Sequence, residues 1–207
     1  MAQVRRTQAE RTAATRAALL KATIDTLVED GHRRTTTQAV AKRAGVSYGA
    51  LLHHFPAKAD LLTAAVAHLL DQRVAEFRKS MANVPPGGRT KEAAIDVLWT
   101  MFQGETFTAW LELSVAARTD PDLAVAVERV DREFHEASLE IFRELFAEET
   151  RLDPELPRVA VATLYTFLDG LALSRLMPGS PLVDPDQLLE VFKMLIAAAL
   201  PTPEETA

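Results

Sequence analysis

Residues 35–62 read TTTQAVAKRAGVSYGALLHHFPAKADLL, and this stretch decides how the first part of the chain folds. It holds two short runs with the apolar spacing of helices, separated at Gly45, and Pro56 ends the second run. Short helices joined by a glycine-containing turn are the pattern of a helix-turn-helix. Gly45 suits such a turn because the backbone there is tight or takes a positive φ. Apolar side chains at Ala41 and Val46 allow the two helices to pack.

Helical spacing also precedes and follows this stretch. A first helix carries one apolar stripe and ends near Gly31; the stripe consists of Ala13, Ala17, Leu20, Ile24 and Leu27. Thr35 and Gln38 fit a capping box for the second helix, although Thr36 fits the cap position equally well. A fourth helix over about 57–81 carries a stripe of Leu62, Val66, Leu69 or Leu70, and Phe77.

The remaining sequence predicts helices over about 91–103, 105–118, 120–149, 156–177 and up to Leu200. No segment alternates with the period of a strand. The sequence therefore predicts an all-α fold of about nine helices. Its expected parts are a helix-turn-helix domain over 1–56, a connecting helix over 57–82, and a helical ligand-binding and dimerisation domain over 83–207.

Charge is distributed unevenly along the 207 residues, whose formal net charge is −6. Residues 1–60 contain ten Lys or Arg and five Asp or Glu, whereas the remainder contains thirteen and twenty-four. A basic segment joined to an acidic body indicates two functions, and the basic segment is compatible with a nucleic-acid partner despite the overall charge.

Several classes of protein are disfavoured by what the sequence lacks. There is no cysteine, so disulfides and thiolate metal sites are excluded, and a reducing cytoplasm suits the chain. We find no signal peptide and no apolar run near the roughly 20 residues that span a bilayer. No nucleophile elbow, phosphate loop or dinucleotide fingerprint is present, so neither an enzyme nor a cofactor is expected.

Residues 13–65 resemble in detail the DNA-binding region of the tetracycline-repressor (TetR) family of transcriptional regulators. The positions in register are Thr36, Val40, Ala41, Ala44, Gly45, Val46, Ser47, Gly49, Ala50, Leu51, His54, Phe55, Lys58, Leu61 and Leu62. Leu52 departs from the pattern, because the family usually has a tyrosine there that commonly meets a phosphate. This change suggests one fewer backbone contact or a compensating contact from His53. Beyond residue 65 only the helical architecture matches.

The resemblance implies a DNA-contacting set. Its members are Thr36, Thr37, Ser47, Tyr48, Gly49, Ala50, His53, His54 and Lys58. The two threonines would offer hydroxyl or backbone N–H groups to phosphate, and Lys58 would bind phosphate as a point charge. The residues from Ser47 to Ala50 would face base edges in the major groove.

Other interpretations of these residues stay open. Tyr48 could be an ordinary exposed aromatic, and His53 and His54 could be partly buried capping residues. A metal site is not expected at the two histidines, because adjacent helical residues point about 100° apart. Arg5 and Arg6 fit an arm along the DNA or a frayed basic terminus equally well.

The acidic body suggests a ligand site and a dimer interface. The candidate ligand-binding residues are Trp99, Phe102, Phe107, Trp110, Glu112, His135, Tyr165 and Asp169, although an aromatic core explains the rings as well. The last two helices are apolar on every face, which suggests pairing with another copy. The family resemblance implies a four-helix dimer interface there, with Ala162, Phe167, Gly170, Leu188, Phe192, Leu195 and Ala199 as candidates.

This resemblance implies repression of transcription, with release from a palindromic DNA operator when a small-molecule effector binds. A homodimer would bind the operator, and no membrane partner is expected. The alternatives are a transcriptional activator, a ligand-sequestering protein with an unused helix-turn-helix, and an all-α enzyme.

Overall fold

The computed structural model of the chain describes residues 7–85, 88, 90–146, 155–177, 179 and 183–199. Within these residues there are nine α-helices and no strand, which confirms the predicted all-α class. The helices are α1 (Gln8–Asp30), α2 (Thr37–Ala44), α3 (Tyr48–His54), α4 (Lys58–Asn83), α5 (Lys91–Phe102), α6 (Glu105–Ala117), α7 (Pro121–Leu145), α8 (Leu156–Leu176) and α9 (Pro185–Ala199). α7 ends at Leu145, earlier than the predicted Glu149. Arg5 and Arg6 lie outside the described residues.

The chain divides into two compact units. Unit 1 contains the described residues up to Asp71 together with Thr108–Asp131, and unit 2 contains Gln72–Phe107 together with the described residues from Arg132 onward. This division differs from the predicted segments 1–56, 57–82 and 83–207. Most of α6, from Thr108 onward, and the first part of α7 group with the N-terminal helices, and α4 carries residues of both units.

α1 begins at a capping box that the sequence analysis missed. The Thr7 hydroxyl accepts from the Glu10 N–H at 3.2 Å, and the Glu10 carboxylate accepts from the Thr7 N–H at 2.6 Å. The predicted stripe is only partly correct, since Leu20, Ile24 and Leu27 are buried while Ala13 and Ala17 are exposed. The reason is that no described residue before Leu19 is buried, so the first turns of α1 project beyond the core.

Thr36, rather than Thr35, caps α2. The Thr36 hydroxyl accepts from the Ala39 N–H at 3.1 Å, and α2 begins at the next residue. Thr35 is fully buried and donates its hydroxyl to the Gly31 carbonyl at 2.9 Å. The alternative capping box of Thr35 and Gln38 is therefore wrong, because the Thr35 side chain is turned toward the end of α1.

The turn between α2 and α3 depends on the backbone of Gly45. Its φ of 65° and ψ of 28° are left-handed, its N–H donates back into α2, and the Val46 N–H donates to the Ala41 carbonyl at 3.0 Å. A Cβ atom at residue 45 would meet no atom within 4 Å. Of the two reasons for a glycine here, the positive φ therefore applies and the lack of space does not.

The short helices share an apolar core with the start of α4. Its largest fully buried side chains include Leu19 and Leu27 of α1, Val40 of α2, Leu51 of α3, and Leu61 and Leu62 of α4. The predicted α4 stripe is confirmed as well, because Leu62, Val66, Leu69, Leu70 and Phe77 are all buried. These contacts hold the helix-turn-helix in one arrangement.

α8 is long and apolar enough to cross a membrane by length and composition, although the sequence analysis found no such stretch. It has 21 residues and a mean hydropathy of 1.3, and it is the single helix of this kind among the described residues. A core helix of a soluble protein passes the same test. α8 packs its buried face, which includes Val161, Tyr165 and Leu168, into unit 2.

Gly45→Ala is expected to lower the free energy of unfolding by about 1–2 kcal/mol, because an L-residue in the left-handed region carries that strain. Gly45→Asn should lose less, since asparagine tolerates this conformation better. Urea unfolding followed by circular dichroism measures both. Equal losses for the two variants, or no loss for alanine, would contradict the backbone explanation.

Candidate DNA-binding surface and ligand cavity

α3 presents one face to solvent and buries the other. Tyr48 is 46% exposed, and Gly49, Leu52 and His53 are exposed beside it. On the opposite face, Leu51 and Phe55 are buried, and the guanidinium of Arg16 lies 5.1 Å from the centre of the Phe55 ring. The outward face of α3 is thus formed largely by residues that the sequence analysis assigned to DNA, and Leu52 lies among them.

Two of the predicted DNA contacts also cap helices. The Ser47 hydroxyl accepts from the Ala50 N–H at 3.2 Å at the start of α3, as Thr36 does at the start of α2. Both residues are exposed. A hydroxyl that accepts in a cap keeps its own proton, so each side chain can still donate to an anion.

Lys58 is less free than a surface lysine. It begins α4, is half-buried, and its Nζ lies 3.4 Å from the His32 carbonyl oxygen. Burial lowers the pKa of Lys58, and the nearby Asp120 carboxylate opposes that shift. A phosphate at this position would therefore compete with a contact that the lysine already makes inside unit 1.

The adjacent histidines of α3 lie edge to face, with 5.8 Å between the ring centres of His53 and His54. His53 is exposed and His54 is half-buried beside Phe55, at 6.4 Å between ring centres. Among the described residues no three side chains of His, Asp or Glu are grouped to hold a metal ion. The two imidazoles are therefore available as separate polar groups on a helix end.

Glu112, a candidate ligand contact by sequence, holds the end of α1 in unit 1. Its carboxylate accepts from the His32 N–H at 2.9 Å, and a Cβ on Gly31 would lie 3.3 Å from the same oxygen. His32 Nε2 is buried and has no hydrogen-bond partner in the part of the chain that the structure describes. Burial, followed by the charge of Lys58, lowers the pKa of His32, while Asp120 and Glu112 oppose the shift.

Unit 2 contains a cavity of about 80 Å³, several times the roughly 10–15 Å³ that one water needs. It lies among α4, α5, α7, α8 and α9, and most of its lining is aliphatic or aromatic. The lining residues are Arg73, Val74, Phe77, Lys91, Ala94, Ile95, Leu98, Met101, Phe134, Ser138, Ile141, Phe142, Leu145, Phe146, Ala160, Val161, Leu164, Tyr165 and Ile196. Tyr165 is the one member of the predicted ligand set in this lining.

Four polar side chains interrupt the apolar lining: Arg73, Lys91, Ser138 and Tyr165. The oxygens of Ser138 and Tyr165 are 3.0 Å apart, and Ser138 also donates to the Phe134 carbonyl at 2.8 Å. Because Ser138 has one hydroxyl proton, Tyr165 donates within this pair. Burial raises the pKa of Tyr165, against the opposing effects of the Ser138 hydrogen bond and the Arg73 charge.

Arg73 is a buried cation on an aromatic surface. It is 5% exposed, and its guanidinium carbon lies 4.5 Å from the centre of the Phe102 ring and 5.5 Å from that of Phe134. Burial lowers the pKa of Arg73, against the opposing charges of Tyr165, Asp169 and Glu76. The burial of this residue could not be predicted from the sequence, since an arginine on a long helix ordinarily faces solvent.

The other predicted ligand residues line no part of this cavity. Trp99 donates from Nε1 to Asp186 at 2.8 Å and so ties α5 to the start of α9. Phe102 and Phe107 pack on each other, and the His135 ring lies 5.7 Å from that of Tyr165. Trp110 belongs to unit 1 with Glu112, and Asp169 is exposed on α8.

Two family models match this chain. Residues 19–65 match the bacterial regulatory proteins of the TetR family, and residues 89–201, more than half of the chain, match the C-terminal domain of BetI-type transcriptional repressors. The chain belongs to the TetR family. It is therefore a DNA-binding transcriptional regulator, and both units of this TetR-family chain carry segments of the matched domains.

Relatives and solved structures agree with this assignment. The TetR-family chain is 33% identical to an uncharacterized HTH-type transcriptional regulator of Mycobacterium tuberculosis, over 94% of this chain and 99% of that protein. It is 36% identical to the regulator CymR of Pseudomonas putida over 62% of this chain and 64% of that protein. The crystal structure of a Rhodococcus transcriptional regulator superposes with a TM-score of 0.71 at 24% identity, covering 90% and 98% of the two chains.

The last two helices of this TetR-family regulator expose much of their apolar surface. On α9, Met194 is 72% and Leu195 is 63% exposed, and Leu188 and Val191 lie on the same side. On α8, Val159, Ala162, Gly170, Leu173 and Leu176 are exposed. Phe192 is already buried by stacking on Phe167, with 4.0 Å between ring centres. The side chain of Ala199 lies outside the described part of the chain.

Glu112→Ala is expected to destabilise unit 1 by about 1 kcal/mol, because the His32 N–H loses its acceptor. Glu112→Gln keeps an acceptor oxygen and should lose less. Urea unfolding compares the two variants with the parent, and the amide exchange rate of His32 reports the same bond locally. A parent-like exchange rate in Glu112→Ala would contradict this role.

Proposed function

We propose that this chain is a transcriptional repressor of the cytoplasm that binds a pseudo-palindromic operator as a homodimer and leaves it when a small molecule occupies the cavity of unit 2. One observation carries the DNA-binding half of this proposal. The outward face of α3, next to the left-handed turn at Gly45, is made of Tyr48, Gly49, Leu52 and His53, while Leu51 and Phe55 anchor the helix from behind.

This face has the composition that a major groove accepts. Gly49 adds no side chain, and a Cβ there would meet no atom of the described residues within 4 Å, so packing within this part of the chain does not require glycine at this site. Without a side chain at this position, the backbone of α3 can approach another molecule closely. Tyr48 then reaches a base edge or a sugar, and Thr36, Thr37 and Lys58 contact the phosphates.

A homodimer fits the exposed apolar faces of α8 and α9. Side chains as exposed as Met194 and Leu195 gain solvation free energy when a second copy covers them. Small residues at Ala162 and Gly170 leave room for a helix to approach closely, and no atom of the described residues lies within 4 Å of a Cβ built on Gly170. Two copies would carry two α3 helices to successive major grooves, about 34–36 Å apart.

Release by an effector requires that the ligand prefer one arrangement of the dimer over another. α4 is the helix that can transmit this preference to the DNA contacts. Its first residue, Lys58, is a proposed phosphate contact, and its residues Arg73, Val74 and Phe77 line the cavity. An effector that shifts α4 would change the separation of the two α3 helices. If the bound dimer is an activator rather than a repressor, its binding to the operator would raise the expression of a reporter gene.

Tyr48→Ala is expected to weaken operator binding by about 1–3 kcal/mol if the ring reads a base. DNA from upstream of the protein's own gene, titrated in a gel-shift assay against random DNA of equal length, measures this loss. The loss should be confined to the specific fragment, and Tyr48→Phe separates the ring from the hydroxyl. Parent-like affinity in Tyr48→Ala, or failure of the parent to distinguish the fragments, would count against the proposal.

Leu195→Glu is expected to weaken the dimer at least about tenfold, because a carboxylate would be buried in an apolar interface. Val125→Glu is the matched control, since Val125 is exposed on α7 and belongs to unit 1. Sedimentation equilibrium of the full chain compares both with the parent. A dimer that tolerates Leu195→Glu as well as Val125→Glu would place the interface elsewhere.

A further inference from the structure

The cavity of unit 2 contains a cationic side chain with unused hydrogen-bond donors. Arg73 is 5% exposed and lines the cavity, and its Nε and Nη2 atoms are buried without a hydrogen-bond partner among the described residues. Buried donors in folded proteins nearly always have partners, and an unpaired buried charge carries a large desolvation penalty. A missing acceptor of negative charge explains both observations.

Among the described residues, no protein group supplies that acceptor. Two carboxylates, Asp169 and Glu76, are close enough to act on Arg73 through their charge, but both are exposed and neither is bonded to Nε or Nη2. The Phe102 and Phe134 rings stabilise the cation by their faces and leave the in-plane donors unused. Nε and Nη2 form one edge of the guanidinium, the edge that a carboxylate can bind with both oxygens.

The rest of the described lining also favours a negatively charged ligand. Lys91 is the other ionisable cation among the lining residues, and none of them is Asp or Glu. The Tyr165 hydroxyl donates to Ser138, so it does not offer its proton to a ligand. Most of the surrounding surface is apolar, including the rings of Phe134, Phe142 and Phe146.

We infer that the effector of this regulator is a small apolar carboxylate, whose two oxygens bind Nε and Nη2 of Arg73 and whose hydrocarbon body fills the cavity among the α7 and α8 side chains. This inference rests on the proposed function, because it names the chemistry of the effector at the same site. A neutral ligand would leave the guanidinium without a counter-charge, and the guanidinium would repel a cation.

The test is a set of binding titrations on this chain with two matched series of ligands. One series is octanoate, octanol and octylamine, and the other is phenylbutanoate, phenylbutanol and phenylbutylamine. Isothermal calorimetry should give at least about tenfold tighter binding for a carboxylate than for the alcohol of its series, the gain that a charge-assisted bond typically supplies. Amines should bind more weakly than either.

Two substitutions on α4 distinguish a direct contact of the ligand with Arg73 from a general effect of positive charge on ligand binding. Arg73→Met keeps an unbranched apolar chain and removes the donors, so the preference for the carboxylate should disappear. Arg78→Met is the matched control, because Arg78 lies on α4, is exposed, pairs with Glu144 at 2.7 Å and does not line the cavity. It should bind both carboxylates as the parent does.

A stability measurement distinguishes a ligand contact from a purely structural role. Removal of an unpaired buried charge is expected to leave the ligand-free protein as stable as the parent or more so. The thermal midpoint of Arg73→Met without ligand should therefore be equal or higher, while octanoate or phenylbutanoate should raise it less than in the parent. A lower midpoint together with an unchanged carboxylate preference would mean that Arg73 serves the fold alone.

The inference is overturned if neither carboxylate binds the parent, if alcohols or amines bind as tightly, or if Arg73→Met keeps the preference. Operator binding is followed in the same samples by fluorescence anisotropy of labelled DNA. Carboxylates that bind through Arg73 without releasing DNA would support the site and refute the proposed release. Alcohols or amines that release DNA would support the release and refute the carboxylate.

Discussion

The position of α3 is the constraint on which the DNA-binding surface depends. A helix of seven residues is unstable in water by itself, so packing and capping must hold it. Leu51 and Phe55 supply the packing, Ser47 caps the first turn, and the left-handed Gly45 sets the direction in which the chain leaves α2. Because all these interactions lie behind or beside α3, its outward face does not take part in stabilising the helix, except at the cap. A surface of this kind can change its side chains without loss of the fold.

Local patterns made this part of the fold predictable. The helix-turn-helix lies within about thirty residues, and each of its features has a signal of its own, from the turn glycine to the apolar spacing. The wrong predictions were also local. Whether Thr35 or Thr36 caps α2 depends on which hydroxyl turns inward to the Gly31 carbonyl, and the spacing of residues in the sequence does not determine that. The exposure of Ala13 and Ala17 likewise depends on where neighbouring helices end, because helical periodicity describes a face and not what covers it.

The cavity could not be predicted in the same way, because its residues come from five separate helices. Most of the aromatic and polar residues predicted to bind a ligand have a structural role instead. Trp99 ties α5 to Asp186, and Glu112 holds His32 in unit 1. The residues that do line the cavity, such as Phe134, Phe142 and Leu164, have the spacing of ordinary core positions. Arg73 is the opposite case, since an arginine in the sequence gives no sign that it is buried.

The acidic character of the C-terminal sequence bears on how such a cavity can select a ligand. Residues after 60 contain twenty-four Asp or Glu and thirteen Lys or Arg, so the exterior repels anions at long range. Solvent screens that repulsion within about 8–10 Å at physiological salt, whereas the charge of a guanidinium removed from water is screened much less. Selection for an anion therefore does not need a basic surface. It needs one buried donor edge without a partner, and in unit 2 Arg73 has such an edge as far as the described residues extend.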